Sequence, residues 1–375
     1  MTGPHSPAFQ RFEASFDAPG RAFLDQLDTA ALLALQEPER TEAEDILLGA
    51  LSMDDPRIVR ALVDLRSTRA IAPLRAALAR TSQGRMRVAV ARALHDLAHD
   101  PGAVSTIVDV LRHGDRSSRE TAASVLRALP VADVQPALLD ALSDPDAGVR
   151  GLATSALYTL HHLDDVARDY RDRLGVLRML IASPLPSLAA QAAGEIRSVI
   201  GALDTGATPG SLGLDRAMDD ASTVVQRLMD SHSDEHGLWA ERLDLDAIPA
   251  SGPERVWAED VILSWLPRDG RACRAVVDLH VRRAAPALVD LVPRAEGRVA
   301  IEAAVALSRL AGDDAGLPRV IQATVPGSAD RLRAVEALRY FGDAAAQTAL
   351  QGLQSDPDPR IRAMAAASLL HRSAR

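Results

Sequence analysis

The sequence predicts an all-α fold, an α-solenoid in which short helix pairs stack side by side. Three observations carry that prediction. A small residue, an apolar residue and a second apolar residue three positions on recur at Ala61-Leu62…Leu65, Ala93-Leu94…Leu97, Val125-Leu126…Leu129 and Ala156-Leu157…Leu160, with steps of 32, 32 and 31 between the central residues. The pattern returns at Ala275-Val276…Leu279, Ala306-Leu307…Leu310, Ala337-Leu338…Phe341 and Ser368-Leu369, now at a constant step of 31. The composition agrees: 375 residues are 47% hydrophobic but only 3% aromatic, and 68 are Ala, the residue that loses least on entering a helix. Finally, Asp-Pro pairs at Asp55-Pro56, Asp144-Pro145 and Asp356-Pro357 supply an acidic cap followed by Pro at the first helical position. A β-sandwich or barrel would need β-branched and aromatic strands that are not present.

Four segments follow in order. Residues 1–37 read as capping helices: Phe9, Phe12 and Phe16 follow three-four spacing after Ser6-Pro7, a helix start, and terminal repeats need a closing face. Residues 38–200 read as an array of about five pairs. Pro73 and Pro136 sit near the start of its first helices, and a wider-spaced fifth pair occupies 164–200. Residues 201–253 read as an acidic insert, opening with the Gly-, Pro-, Ser- and Thr-rich stretch GALDTGATPGSLG. Residues 254–375 read as a second array of about four pairs. A lone pair of this size cannot bury its apolar stripe, so neighbours must stack. The pattern is compatible with one continuous superhelix or with two arms that flex at 201–213.

The arrays also resemble each other. Leu62 aligns with Val276, Leu94 with Leu307, Leu126 with Leu338 and Leu157 with Leu369, at offsets of 214, 213, 212 and 212. AEDILLGAL at 43–51 aligns with AEDVILSWL at 258–266, and SDPDAGVR at 143–150 with SDPDPRIR at 355–362. A duplicated four-repeat block accounts for this, because the shared AED lies outside the periodic pattern.

Charge and composition narrow the class. The chain has no Lys and no Asn, so all 42 basic residues are Arg, which points to a GC-rich genome rather than to nucleic-acid binding. Of the net charge of -9, all falls within 201–260; the remainder is neutral. The single Cys273 excludes an internal disulfide framework and a Cys-rich zinc module. No apolar run is long enough to span a membrane, and MTGPHSPAFQRFE has neither a charged nor an apolar leader region, so the expected location is the cytoplasm.

The helix pairs, the step near 31, the D-P-x-x-x-x-R opening (Asp144 to Arg150, Asp356 to Arg362) and the A-x-x-A-L-x-x-L core (Ala153, Ala156, Leu157, Leu160) resemble HEAT repeats. They are most similar to the short bacterial HEAT-like repeats named from phycobilisome lyases. The resemblance covers about 38–200 and 254–375. It implies the armadillo-like α-solenoid fold and leaves function open, because such repeats serve scaffolds, chromophore lyases, hydroxylases and DNA glycosylases alike.

Candidate chemistry is sparse. His232-Ser233-Asp234-Glu235-His236 spells H-x-x-E-H, which would place His232 and His236 as zinc ligands with Glu235 as general base, but a third ligand is not evident and Gly237 follows at once. His95 and His99 lie one turn apart, yet the His-Glu dipeptides that serve as iron ligands in hydroxylases of this class are missing. Arg recurs on the second helices (Arg57, Arg60, Arg87, Arg119, Arg150, Arg333, Arg362 among others), where it either forms a basic stripe or ties neighbouring turns to Asp. Neutral repeats without interleaved aromatics favour the tie and disfavour nucleic acid. A polar row falls between the core positions of the second helices: Arg92 and His95, then Arg127, Tyr158, Arg274, Ser308 and Arg339. With Trp239 of the insert, this row forms the expected binding surface for a protein partner. The leading expectation is a non-catalytic, protein-binding scaffold or adaptor without a cofactor. The alternatives are a phycobilin-lyase-like or metal-dependent enzyme, or a DNA-lesion enzyme.

Overall fold

The computed structural model describes residues 5–17, 27–163, 173–212, 243, 245, 246 and 248–373, and every regular element among them is helical. The helices divide between two compact units, Met1–Leu160 and His161–Arg375.

Unit 1 opens with α1 (Pro7–Asp17) and α2 (Thr29–Leu33). Four pairs follow: α3 (Glu39–Ala50) with α4 (Pro56–Asp64), α5 (Ile71–Arg80) with α6 (Gly84–Ala98), α7 (Pro101–His113) with α8 (Arg116–Leu126), and α9 (Val131–Ala141) with α10 (Ala147–Leu160). The second helices α4, α6, α8 and α10 pack in succession into one layer. Leu62, Leu94, Leu126 and Leu157 are all buried there, beside Ala61, Ala93 and Ala156, whose small side chains let the helices approach. Phe9 and Phe12 of α1 are fully buried in one apolar cluster with Leu32, Leu47 and Leu62. The start of α1 is tied down by Ser6, whose backbone N–H and Oγ each donate to Glu39 at 2.5 Å.

Unit 2 opens with α11 (Arg173–Ile181) and α12 (Pro186–Asp204). Its four further pairs are α13 (Pro253–Trp265) with α14 (Gly270–Asp278), α15 (Ala285–Leu291) with α16 (Gly297–Ala311), α17 (Leu317–Gln322) with α18 (Arg331–Ala337), and α19 (Ala344–Leu353) with α20 (Pro359–Ser373). The layer of second helices is again continuous: α14, α16, α18, α20. The fifth pair of the sequence reading thus falls in the second unit, and the boundary lies at 160/161 rather than at the insert. The reason is physical. α11 packs on α13, α12 packs on α15, and the Ser187 N–H donates to Asp290 at 2.8 Å. Asp260 is fully buried between the guanidinium groups of Arg173 and Arg283, and Arg173 also holds Glu195. Residues 201–204 are the last turn of α12, and Thr208 and Ser211 close a turn on each other.

The Asp-Pro starts behave in two ways. Asp55 caps α4 through the Arg57 N–H with Pro56 at the first helical position, as the pattern predicts. At the other two sites the helix starts later. Asp144 and Asp356 accept from the N–H of Asp146 and Asp358, and it is Asp146 and Asp358 that accept from the first helical N–H groups, Gly148 and Arg360. Pro145 and Pro357 therefore stand in the turn. Arg150 folds back onto the carbonyls of Asp144 and Pro145 at 2.8 and 3.1 Å, and Arg362 onto those of Asp356 and Pro357 at 2.7 and 3.0 Å. The same Asp residues receive Arg119 and Arg331 from the preceding second helix. The D-P-x-x-x-x-R motif is thus a turn lock and an inter-repeat clasp at once.

This correspondence extends well beyond the motif. Arg40 donates to the Leu65 carbonyl and Arg255 to that of Leu279; Arg69 clasps Glu44 and Asp45, and Arg283 clasps Glu259 and Asp260. Arg66 and His280 share a left-handed backbone, φ 54° and 55°. Each pair sits at the offset of 214 or 215 that aligns the arrays in sequence.

Two consequences can be measured here. Arg331, and then the Asp358 N–H, hold the Asp356 carboxyl below the usual range. A carboxyl lowered on folding stabilises the native state above the ordinary Asp pKa, near pH 4, and that contribution is lost as pH falls through the lower folded value. Asp356→Asn is therefore expected to lower the melting temperature at pH 7 and to flatten its decline towards pH 3. Parallel acid limbs in the two proteins would count against the clasp. Separately, a Cβ at Gly316 would meet the Ala304 Cα at 2.9 Å and its Cβ closer still, and backbone cannot yield as a flexible side chain can. Gly316→Ala is expected to cost about 1–3 kcal/mol by overpacking. Gly352→Ala, where nothing lies within 4 Å, should cost nothing in the same urea titration.

Candidate functional site

The polar row is split between the units and behaves differently in each. In unit 1, Arg92 is spent on structure: its Nε donates to Asp96 at 2.9 Å and its Nη1 to the Ala128 carbonyl at 3.2 Å, tying α6 to the end of α8. His95 lines a cavity of about 550 Å³ with His99, Arg112, Asp133 and Pro136, on the side of the first helices. Its ring meets that of His99 edge-on at 6.2 Å. Arg127 is exposed. Tyr158 is 1% exposed, so its placement in a solvated row is corrected. The row Arg150, Thr154, Tyr158 is buried in addition to the Val149, Ala153, Ala156, Leu157 face, so α10 is covered on two sides. Among the described residues no three His, Cys, Asp or Glu lie close enough to share a metal ion, and His232, Glu235, His236 and Trp239 fall outside the described residues.

Unit 2 does bring candidates together. Arg274, Arg309, Arg333, Arg339, Asp278, Glu302, Glu336 and Tyr340 line one cavity of about 190 Å³ on the layer formed by α14, α16 and α18. Its keystone is Glu302, a lone carboxylate in the apolar run AIEAAVAL of α16, only 7% exposed. Arg274 of α14 grips it with two hydrogen bonds, Nε to Oε2 at 2.9 Å and Nη2 to Oε1 at 2.6 Å, and Arg333 of α18 reaches Oε1 from the other side. Three consecutive second helices are thus clasped on one carboxylate. Burial pushes the Glu302 carboxyl above the ordinary range, and Arg274 and Arg298 pull against that.

The residues matched by known families lie in unit 1. Residues 71–158 match the model described as HEAT repeats, and residues 57–80 match the PBS lyase HEAT-like repeat. Residues 57–158 are thus built of HEAT repeats. No curated protein matches the chain. The HEAT stretch so matched contains Arg92, His95, Arg127 and Tyr158 but none of the cavity residues, so the family describes the frame and not the site.

The far wall of the cavity is Tyr340, which follows α18. The guanidinium carbons of Arg309 and Arg339 lie 5.4 and 4.8 Å from its ring centroid, within range for cation–π attraction. Arg339 Nη2 also donates to the Tyr340 hydroxyl at 2.6 Å and pairs with Glu336 at 3.0 Å, while its Nε is buried without an acceptor. Ser308 does not line the cavity; its Oγ donates to Asp314 at 2.5 Å and reaches the Tyr340 carbonyl at 3.5 Å. Of the cavity's members, the polar row contains Arg274 and Arg339, and Arg333 is among the recurrent Arg. Asp278, Glu302, Arg309, Glu336 and Tyr340 were missed. A charge set inside a run of eight otherwise apolar residues was the signal for Glu302, since a buried carboxylate requires partners. Cys273 is fully buried, and burial pushes its thiol well above the usual range, which suits a small core residue and not a nucleophile.

Proposed function

We propose that this protein is a non-catalytic scaffold or adaptor that holds a protein partner on the second-helix layer of unit 2. The observation that carries the reading is the cavity itself: the row residues Arg274 and Arg339 converge there with Arg309, Arg333, Glu302 and Tyr340 on a surface built from three successive repeats. Solenoids present ligands with such layered surfaces, in which each repeat contributes one or two side chains. Arg and Tyr are also the residue types that most often anchor protein interfaces. The shared hydrogen-bond frame of the two arrays supports an origin in one duplicated four-repeat block.

Cross-linking of the full chain in native lysate, followed by mass spectrometry, tests this reading. A specific protein whose cross-links map to α16 and α18, and whose yield falls when Arg274 and Arg309 are replaced together by Ala, is the expected result. Retention of no protein above a control bait, or cross-links that map only elsewhere, would remove it.

A further inference from the structure

The two arrays share a backbone frame, so equivalent positions can be compared, and the cavity belongs to only one of them. At the offsets set by Val276, Leu307 and Leu338, Arg274 corresponds to Arg60, Asp278 to Asp64 and Arg339 to Arg127. Glu302, Arg333, Tyr340 and Arg309, however, correspond to Ala89, Thr121, Ala128 and Asp96. Among the described residues, the second helices of unit 1 stack with Ala89, Thr121 and Ala128 in place of the carboxylate, the second clasping Arg and the ring. The fold therefore does not require them.

We infer that the unit 2 cavity is a receptor for one carboxylate side chain, an isolated Asp or Glu within a peptide segment of a partner protein. This rests on the scaffold reading and names its ligand chemistry. Among the residues that line the cavity, four guanidinium groups (Arg274, Arg309, Arg333, Arg339) face three carboxylates (Asp278, Glu302, Glu336), a surplus of one positive charge in the lining. A single carboxylate neutralises that charge, whereas a phosphate dianion overshoots it and a polyphosphate backbone meets the three carboxylates. The donors are in place. Glu302 holds Arg274 and Arg333, and Arg309, an exposed residue at the mouth, makes no ion pair among the described residues beyond its contact with the Tyr340 ring. The guanidinium fork matches a carboxylate in two-point geometry. A volume of about 190 Å³ accepts the end of one side chain and is below the roughly 300 Å³ at which small-molecule sites begin. Asp278 and Glu336 at the margins favour a basic residue next to the seated acid in the partner segment.

The test is fluorescence anisotropy with the full chain and three labelled decapeptides of Gly and Ser. Each carries one central residue (glutamate, glutamine or phosphoserine) flanked by one arginine. The glutamate peptide is expected to bind about tenfold more tightly than the glutamine peptide, and more tightly than the phosphoserine peptide. Arg309→Ala should weaken the glutamate peptide about tenfold, and because Arg309 is exposed and makes no ion pair among the described residues this variant keeps its fold. Arg75→Ala, on an exposed ion pair with Asp100 in unit 1, should leave binding unchanged. Equal binding of glutamate and glutamine peptides, preference for phosphoserine, indifference to Arg309→Ala, or no binding at millimolar peptide each overturns the inference. Failure of the scaffold reading looks different: there the lysate cross-links vanish. If cross-links to α16 and α18 persist while the peptides fail, only the carboxylate assignment falls.

Discussion

Glu302→Ala is expected to destabilise unit 2 by about 3 kcal/mol, the low end of the range for removing one partner of a buried ion pair. The low end applies because the side chains of Arg274 and Arg333 keep 22% and 24% of their exposure and are partly solvated when the carboxylate goes. Glu302→Gln should cost less, since its amide oxygen still accepts from Arg274. Replacing the whole triad by apolar residues of similar volume should cost less than Glu302→Ala alone, because a buried pair barely offsets its own desolvation while an orphaned charge bears the full penalty. Urea unfolding of the three variants measures this ordering, and a triad replacement more damaging than Glu302→Ala would refute it. The pH dependence has the opposite sign to that of Asp356. A carboxyl raised on folding binds its proton more tightly in the native state, so its contribution is greatest below the ordinary Glu range and declines as pH rises through the folded value. Glu302→Gln should therefore remove part of the decline in stability above about pH 4.3. Stacking of second helices does not depend on such a triad: α4, α6 and α8 pack in succession with the partly buried Ala89 at the position equivalent to Glu302.

How far such features were legible in the sequence depends on the range of the interactions behind them. Core positions repeat because every second helix meets a neighbour in the same way, and the central residues from Leu62 to Leu338 are all buried. In α20, by contrast, Ser368 is buried and Leu369 only half-buried. The capping Asp at 55 was legible since the cap is local, whereas at 144 and 356 a second Asp two residues on competes for the same role and wins. The membership of the fifth pair was not legible. It is decided by Arg173 meeting Asp260 across 87 residues, and no periodic pattern encodes such a contact. The site fell between these cases. Arg274 and Arg339 follow from their place in the row, but Tyr340 becomes a wall only through the turn that ends α18, and Tyr158 leaves the surface only because α10 is covered twice.

The N-terminal segment offers the second large effect. Phe12→Ala is expected to cost unit 1 about 3–5 kcal/mol, the range for truncating a fully buried Phe, with part of the cost due to the cavity that remains. Phe9 and Phe12 meet edge-on with ring centroids 6.1 Å apart, and Phe12 and Phe16 lie 6.3 Å apart, so the loss extends along α1. In a stacked array each repeat is stabilised by its neighbours, so loss of the terminal contact should propagate inward and fade. Hydrogen exchange on the full chain should therefore show protection lost in α1 to α4, reduced in α5 and α6, and retained in α9 and α10. A segment that merely docks on a finished array, ready to leave for a partner's groove, gives another result: exchange rises in α1 alone and the melting of α3 to α10 is unchanged. The buried position of Phe9 and Phe12 among Leu32, Leu47 and Leu62 favours the first outcome, because removing α1 would expose the apolar side chains of α2, α3 and α4 that these rings cover.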